Sequence, residues 1–481
     1  MVYGCDLDGC LKRTAMEKFD AIIIGSGQAG NPLAKRLSKE GRRVALIESA
    51  SLGGTCINYG CTPTKTLIGT AKDIFQAERA AEYGVTLIDA VPDYQAIIRR
   101  KNRIVAGFRG ELEKSLMQDP NITLLNGKGS FLNYKELRVQ LNDLSRVDIR
   151  AESIFINTGT RPRIPDIEGL HSIRYLTSTT ILELDVLPEH LIIIGGGYVA
   201  LEFAQVFRRI GSLVTIVERS SRLLQNEDED VALELMNILE REGVQVISDT
   251  SVRSITEHAE DRISIEILAS GQRATLSGTH LLVATGRRPN TDDLDLVKTS
   301  IQTDKDGYIP VNDHLETTVP GIYALGDVKG GAAFTHVSYH DYVVLSQNIF
   351  EGNQSSIRNR LIPYCVFTDP ELGRIGLTEK AACEKGLKFT VAKMKTSSIA
   401  RAIETGETAG FVKAIIDNNA KTILGAAVIC TGGGELMSLL QVAMAGGLTY
   451  DQLRDTMFAH PTYAESINNL FSTTHLQPGI P

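Results

Sequence analysis

Two cysteines five residues apart, Cys56 and Cys61, stand in the segment Gly53-Gly-Thr-Cys-Ile-Asn-Tyr-Gly-Cys-Thr-Pro-Thr-Lys65. Proline suits the first turn of a helix, because its missing N–H is one of the donors left open there, so Pro63 predicts Cys61 at or just before a helix start. A helix N-terminus stabilises negative charge, and the thiolate is the form of cysteine that attacks a disulfide or donates charge to an oxidised ring. Two reduced cysteines in a loop is the plain alternative. Zinc fits less well, since no second Cys/His pair with ligand spacing accompanies the first. A second candidate is His460, followed by Pro461 and, five residues on, by Glu465. A histidine oriented by a carboxylate is the arrangement that shuttles protons to a thiol, whereas a histidine on its own is an ordinary surface or core residue.

The elements that must hold these residues belong to a chain of 481 residues, long enough for about two to four domains. A net charge of −8 gives no electrostatic footprint for nucleic acid, and the short basic stretches Arg99–Lys101 and Arg287–Arg288 read as solvated faces. No apolar run is long enough to span a bilayer and no leader-peptide pattern opens the chain, so the expected location is the cytoplasm, without a membrane partner. Seven cysteines in this length do not make a disulfide scaffold. In a reducing compartment only close pairs suggest chemistry, and two qualify: Cys56/Cys61 and Cys5/Cys10. The latter reads as two chance cysteines in an N-terminal tail more readily than as a thiol shuttle. Cys365, Cys383 and Cys430 read as small buried hydrophobes.

An internal repeat organises the rest. Asp20-Ala-Ile-Ile-Ile-Gly-Ser-Gly-Gln-Ala-Gly30 leads through a helical stretch to Arg43-Val-Ala-Leu-Ile-Glu48, and Leu191-Ile-Ile-Ile-Gly-Gly-Gly-Tyr-Val-Ala200 leads likewise to Leu213-Val-Thr-Ile-Val-Glu218. In both copies an acid follows the first glycine by 23 positions. Strand, glycine turn, helix and acid are the parts of a dinucleotide-binding βαβ unit: Gly25, Gly27 and Gly30, and then Gly195, Gly197 and Ala200, let backbone approach a pyrophosphate, while Glu48 and Glu218 face ribose hydroxyls. One such motif is weak evidence; two at one spacing imply two dinucleotides. Ile154-Phe-Ile-Asn-Thr-Gly159 and Leu281-Leu-Val-Ala-Thr-Gly286 form a second matched pair that would close the two domains, placing Thr158, Gly159 and Gly286 at the cofactors. Ile322-Tyr-Ala-Leu-Gly-Asp327 ends another strand on Gly326 and Asp327, an acid suited to a ribityl hydroxyl or to a polar turn. Beyond about residue 350, strand runs at 411–416 and 423–429 alternate with helical stretches near 434–446 and 464–471, the pattern of an α+β domain.

Over residues 19–472 the chain resembles the group I pyridine nucleotide–disulfide oxidoreductases, which include lipoamide dehydrogenase, glutathione reductase and mercuric reductase. The resemblance rests on Gly53-Gly-Thr-Cys-x4-Cys-x-Pro-x-Lys65, both glycine fingerprints, Gly326-Asp327, and His460-Pro461-Thr462 with Glu465. It implies an α/β fold with two Rossmann-like domains for FAD and NADH or NADPH and a C-terminal α+β dimerisation domain. The expected boundaries are a tail at 1–18, a discontinuous FAD domain at 19–157 and 287–350, an NAD(P) domain at 158–286 and an interface domain at 351–481. It further implies that Gly54 and Thr55 lie at FAD, that Cys56 is the interchange thiol and Cys61 the flavin-side thiol, that Lys65 lies near the flavin and pairs with Glu202, and that Tyr198 gates the nicotinamide side. Tyr198 and Glu202, four apart, share a helix face. His460 and Glu465 would serve the partner subunit's interchange thiol, which implies a homodimer with shared active sites. No resident metal is expected.

Glu218 favours NADH, while Arg219 and Arg222 offer a grip on a 2′-phosphate. Lipoamide dehydrogenases carry a second histidine where this chain has Phe458. The segment Tyr364–Glu379 looks like the mercuric reductase branch, yet the chain closes on His475-Leu-Gln-Pro-Gly-Ile-Pro481 without a cysteine pair. Ile154–Gly159 and Phe334-Thr-His-Val-Ser-Tyr339 resemble relatives that reduce hypothiocyanous acid. The expected activity is thus NAD(P)H-driven reduction of a small oxidised-sulfur or soft-metal substrate: hypothiocyanous acid, a low-molecular-weight disulfide or mercuric ion. Dihydrolipoamide dehydrogenase and a low-turnover flavin redox sensor are the competing readings.

Overall fold

The computed structural model describes residues 16–88, 90–258, 262–472 and 475–479. Cys5, Cys10 and most of the expected tail lie outside the described residues. The described residues pack as two units, one drawn from residues 16–58, 108–161 and 288–358, the other from residues 59–107, 162–287 and 359–479.

In the first unit, Ala21-Ile-Ile-Ile24 has no polar side chain, and such a run makes a strand covered on both faces. It lies inside an eight-stranded sheet, parallel to Val44–Glu48 on one side and to Ser153–Ile156 on the other. Ile322–Ala324 and Ile122–Asn133 extend the parallel order outward. Helix Gly30–Lys39 follows the central strand and buries Leu33, Ala34 and Leu37, its one apolar stripe, with Ile23, Leu46 and Phe155.

The second unit repeats this core. His190–Ile194 pairs in parallel with Leu213–Val217 and His280–Val283, and Val244–Ile247 completes four strands. Helix Tyr198–Ile210 follows the central strand, as Gly30–Lys39 does in the first unit. Leu67 and Ala71 of helix Cys61–Glu78, with Ile97 and Ile98, share a core cluster with Leu201, Ala204 and Phe207. This shared apolar face groups residues 59–107 with the second unit rather than with the fingerprint that precedes them in the chain. Residues 364–478 supply a six-stranded antiparallel sheet, in the order Tyr364–Val366, Glu371–Gly376, Ile423–Cys430, Phe411–Asp417, Phe389–Lys395, Leu476–Pro478. Helix Gly433–Ala445 lies on it so closely that a Cβ at Gly373 would fall 2.4 Å from the Gly433 carbonyl oxygen. No helix among the described residues is long and apolar enough to cross a membrane.

Candidate active site

The first glycine turn is built on steric necessity. Gly25 has φ +105°, and a Cβ there would lie 2.3 Å from the Asn157 carbonyl oxygen. At Gly30 a Cβ would lie 2.3 Å from the Gly25 carbonyl oxygen. The helix therefore starts hard against the strand end, where its open N–H groups suit a phosphate. Glu48 is buried; its Oε2 accepts from Ser26 N at 3.0 Å and Ser26 Oγ at 2.7 Å, and its Oε1 accepts from Ala50 N at 2.9 Å. Gly53 N in turn donates to Ser26 O at 3.1 Å and to Ser26 Oγ at 3.0 Å. A Cβ at Gly54 would come within 3.0 Å of Gly27 Cα. Ser26 thus ties the segment that precedes Cys56 to the glycine turn. On the other side of the turn, Thr160 Oγ1 donates to Asp327 Oδ2 at 3.0 Å, Gly326 N donates to Asp341 Oδ2 at 2.8 Å, and the buried Thr158 Oγ1 has no hydrogen-bond partner among the described residues.

The second turn reproduces the first almost atom for atom. Gly195 has φ +113°, and its Cβ would lie 2.5 Å from the Ala284 carbonyl oxygen. Gly195 N donates to Val217 O and Ala284 N to Ile194 O, both at 2.9 Å; their counterparts, Gly25 N to Ile47 O and Asn157 N to Ile24 O, are both 2.8 Å. Glu218 Oε2 accepts from Gly196 N at 2.5 Å and its Oε1 from Ser220 N at 2.7 Å, as Glu48 accepts from Ser26 and Ala50. Gly197 caps helix Tyr198–Ile210, Ala200 is fully buried in its first turn, and Gly286 has φ +115°. Arg219 is exposed, and Arg222 turns back to donate to Gln225 O at 3.3 Å.

Cys56 is half-buried in the short helix Gly54–Tyr59, next to the exposed Thr55. Cys61, exposed, is the first residue of helix Cys61–Glu78, after Gly60. One turn into that helix, Lys65 Nζ donates to Glu202 Oε1 at 2.9 Å and Oε2 at 2.8 Å. Glu202 is 3% exposed, a burial a carboxylate tolerates only when its charge is matched. Phe367 completes the match: its N–H donates to Glu202 Oε1 at 2.9 Å, and Lys65 Nζ lies 4.5 Å from its ring centroid. Tyr198, half-buried, opens the helix that carries Glu202. Elsewhere in the second unit, His460 Nδ1 lies 2.9 and 3.1 Å from the carboxylate oxygens of Glu465. A carboxylate at Nδ1 leaves Nε2 to exchange protons with a third group.

Residues 19–341 match the family model for pyridine nucleotide-disulphide oxidoreductases, and residues 362–471 match the dimerisation domain of the same family. The chain belongs to the pyridine nucleotide-disulphide oxidoreductases. Over 461 residues it is 39% identical to the probable pyridine nucleotide-disulfide oxidoreductase RclA of Escherichia coli, covering 95% of this chain and 99% of that one. A solved structure of the HOCl-induced flavoprotein disulfide reductase RclA, as its copper(II) complex, superposes with a TM-score of 0.87 at 38% identity, over 95% of this chain and 99% of the other. The mercuric reductase of Streptomyces lividans is 34% identical over 93% of this chain and 94% of its own length. The dihydrolipoyl dehydrogenase of Chlamydia muridarum is also 34% identical, over 93% and 95%. As a member of this family the chain is an FAD-dependent oxidoreductase that takes electrons from NADH or NADPH, and its C-terminal domain is the family's dimerisation domain.

Several residues at these sites carry no signal in the sequence. Ser26 occupies the variable position of Gly-x-Gly, where only the fold shows that its hydroxyl reaches Glu48. Asn58, between the cysteines, places its amide on the carbonyl oxygens of Leu52 and Gly54 at 2.9 Å and accepts from Arg109 Nε at 2.8 Å. Phe367 stands more than 160 positions from Glu202. Cys365, two residues before it, is no thiolate: burial, and then the neighbouring Glu371 carboxylate, push its thiol well above the usual range. A further charged cluster lies under the dimerisation-domain sheet. Asp228, Asp230 and Glu379 converge as metal ligands do, but Lys413 Nζ stands among them at 3.0, 2.8 and 2.6 Å. Beside it, Glu227 lies 3.2 Å from Arg374 Nε, off the direction of a hydrogen bond, and burial pushes its carboxyl up to about 7.

Proposed function

We propose that the enzyme reduces a small oxidised-sulfur electrophile, with hypothiocyanous acid and low-molecular-weight disulfides as the two substrate types, through a redox-active Cys56–Cys61 pair. The observation that carries this reading is the position of Cys61 as first residue of an 18-residue helix, with Lys65 one turn on. Both features favour the thiolate over the thiol.

Gly25, Gly27, Gly30, Glu48, Gly54, Thr55, Thr158, Gly159, Gly326 and Asp327 are the residues suited to FAD. The crowded glycines bring the helix start hard against the strand end and leave its open N–H groups for a phosphate, and the Thr158 hydroxyl, which has no partner among the described residues, and the buried Glu48 supply polar groups. Gly195, Gly197, Ala200, Glu218 and Gly286 suit the nicotinamide coenzyme. Glu218 makes NADH the preferred donor, since a 2′-phosphate would meet its carboxylate. FAD, when bound, supplies transfer of an electron pair from the nicotinamide to the protein disulfide.

With both thiols reduced, Cys56 attacks the electrophilic sulfur. For hypothiocyanous acid, a bond forms from Cys56 Sγ to the thiocyanate sulfur while the sulfur–oxygen bond breaks, and hydroxide leaves as water with the proton held by His460. Cys61 then attacks Cys56 Sγ, releasing thiocyanate and restoring the disulfide, so one NADH balances one substrate. His460 and Glu465 act on the partner subunit's Cys56, as the family resemblance implies, and the working unit is the homodimer.

The HOCl induction of the Escherichia coli relative supports a sulfur electrophile, since hypochlorous acid converts thiols and thiocyanate into such species. Reduction of a soft metal ion is the second reading, favoured by the mercuric reductases among the relatives. Phe458 argues against dihydrolipoamide: its ring packs against the core of the dimerisation domain, where it offers no proton.

The test is an anaerobic titration with NADH and with NADPH, followed by a panel of acceptors (hypothiocyanous acid, glutathione disulfide and mercuric ion) and, in the reverse direction, dihydrolipoamide as donor with NAD as acceptor. A long-wavelength thiolate–flavin band and NADH-driven loss of hypothiocyanous acid that Cys56→Ala abolishes are expected. Turnover that survives Cys56→Ala would assign the chemistry to the flavin alone and overturn the reading.

A further inference from the structure

The far end of helix Cys61–Glu78 is fastened to the neighbourhood of His460 in the same subunit. Gln76 Nε2 donates to Glu407 Oε1 at 2.6 Å, and Arg79 Nη1 lies 3.4 Å from the same oxygen. Arg79 Nη2 donates to the Gly406 carbonyl oxygen at 3.0 Å, and Tyr83 OH, just past the helix, to the Thr405 carbonyl oxygen at 2.7 Å. Thr405 Oγ1 gives its own proton to Arg401 O at 2.9 Å. It therefore accepts from Tyr463 OH, 3.4 Å away. Tyr463 stands between His460 and Glu465 in the chain, and its ring packs against the dimerisation-domain core.

The His460 side chain is 67% exposed, and so solvated a contact with Glu465 contributes at most about 1 kcal/mol, too little to fix a loop. The bracket is better protected: the Arg79 and Glu407 side chains are 19% and 15% exposed, and a guanidinium fork on a carbonyl and a carboxylate allows little play.

We propose that the bracket of Gln76, Arg79, Tyr83, Thr405, Glu407 and Tyr463 positions His460 for proton transfer in the partner subunit's active site. The helix that begins at one site's Cys61 then buttresses, at its other end, the acid that serves the second site. The proposal rests on the reading that His460 acts across the dimer.

Heterodimers with two affinity tags test it. One subunit carries Cys56→Ala and the other His460→Ala, leaving one complete site: the thiols of the second subunit served by His460 of the first. Glu407→Gln or Tyr463→Phe is then placed on one subunit or the other. On the His460-bearing subunit each substitution should slow reoxidation of the dithiol by disulfide about tenfold and shift the pH profile of that step, while NADH reduction of the enzyme is unchanged. On the thiol-bearing subunit the same substitutions should change reoxidation less than about twofold. Equal effects from both placements, or none from either, would overturn the bracket. A parent heterodimer that shows no reoxidation, without any bracket substitution, would overturn the cross-subunit role of His460 and the bracket with it.

Discussion

At the scale of single residues, the site's electrostatics centre on Glu202, which receives two contacts from Lys65 and one from the Phe367 N–H. The Phe367 ring lies 4.5 Å from the Lys65 ammonium, whose side chain is otherwise partly solvated. A partly desolvated cation over an aromatic ring is stabilised by ~1–2 kcal/mol. Phe367→Leu keeps the backbone N–H and an apolar side chain but loses the π face. It should slow NADH-driven formation of the thiolate–flavin band by about fivefold to tenfold, with Phe367→Tyr near the parent rate, as read by stopped-flow absorbance. Glu218→Ala should raise the KM for NADH and leave that for NADPH equal or lower; an unchanged ratio in steady-state kinetics would exclude Glu218 as the discriminating carboxylate. The sequence announced Glu218 by its spacing from Gly195. Phe367 was illegible because its partner is brought in by the fold, and an aromatic residue just past a short strand carries no mark of such a role.

At the scale of elements, two glycines of the first dinucleotide site are glycine for different physical reasons. Gly30 has ordinary helical geometry, but a Cβ there would strike the Gly25 carbonyl at 2.3 Å, backbone that cannot step aside. Gly159 has φ +67° and open space around it. Gly30→Ala should therefore part helix from strand, losing ~2–3 kcal/mol and much of the bound FAD, whereas Gly159→Ala should cost only the ~1 kcal/mol of a left-handed alanine. Thermal midpoints and the ratio of flavin to protein absorbance distinguish the two outcomes. The start of helix Cys61–Glu78 was legible from Pro63, a strictly local signal. That its opposite end is fastened through Arg79 and Tyr83 to residues 405–407 was not, because more than 300 positions of chain lie between them.

For the molecule as a whole, the buried charges beneath the dimerisation-domain sheet set a pH dependence. Burial raises the Glu227 carboxyl to about 7, with the neighbouring Asp228 and Asp230 adding to the rise and Arg374 and Lys413 opposing it. A carboxyl raised above its unfolded value, about 4.5, contributes stability that is fully present below pH 4.5 and is lost as pH climbs through 7. Glu227→Gln removes that titration. The difference in thermal midpoint between Glu227→Gln and the parent should move in favour of the variant as pH rises from 5 to 8, by ~3 kcal/mol in stability terms. A difference constant with pH would mean that Glu227 stays ionised in the fold. Glu227 and Arg374 gave no signal in sequence, since nothing in the spacing of an acid and a base 147 positions apart says that both will be buried together.

The sequence by itself determined the family, the two dinucleotide turns, the order of the elements and the residue types at the thiol and histidine sites, because each rests on short-range spacing that local sterics enforce. Gly25 and Gly195 must be glycine because each strand ends against a neighbouring carbonyl, and Pro63 suits the first turn of a helix through its fixed φ and missing N–H. Only the tertiary structure decided which distant groups meet: Ser26 under the segment that precedes Cys56, Phe367 against Lys65, the bracket from Arg79 to Tyr463, and Lys413 among three carboxylates. Such contacts depend on which side chains two packed elements turn toward each other, and a burial free energy spread over whole helices and sheets sets that choice, leaving no local trace in the chain.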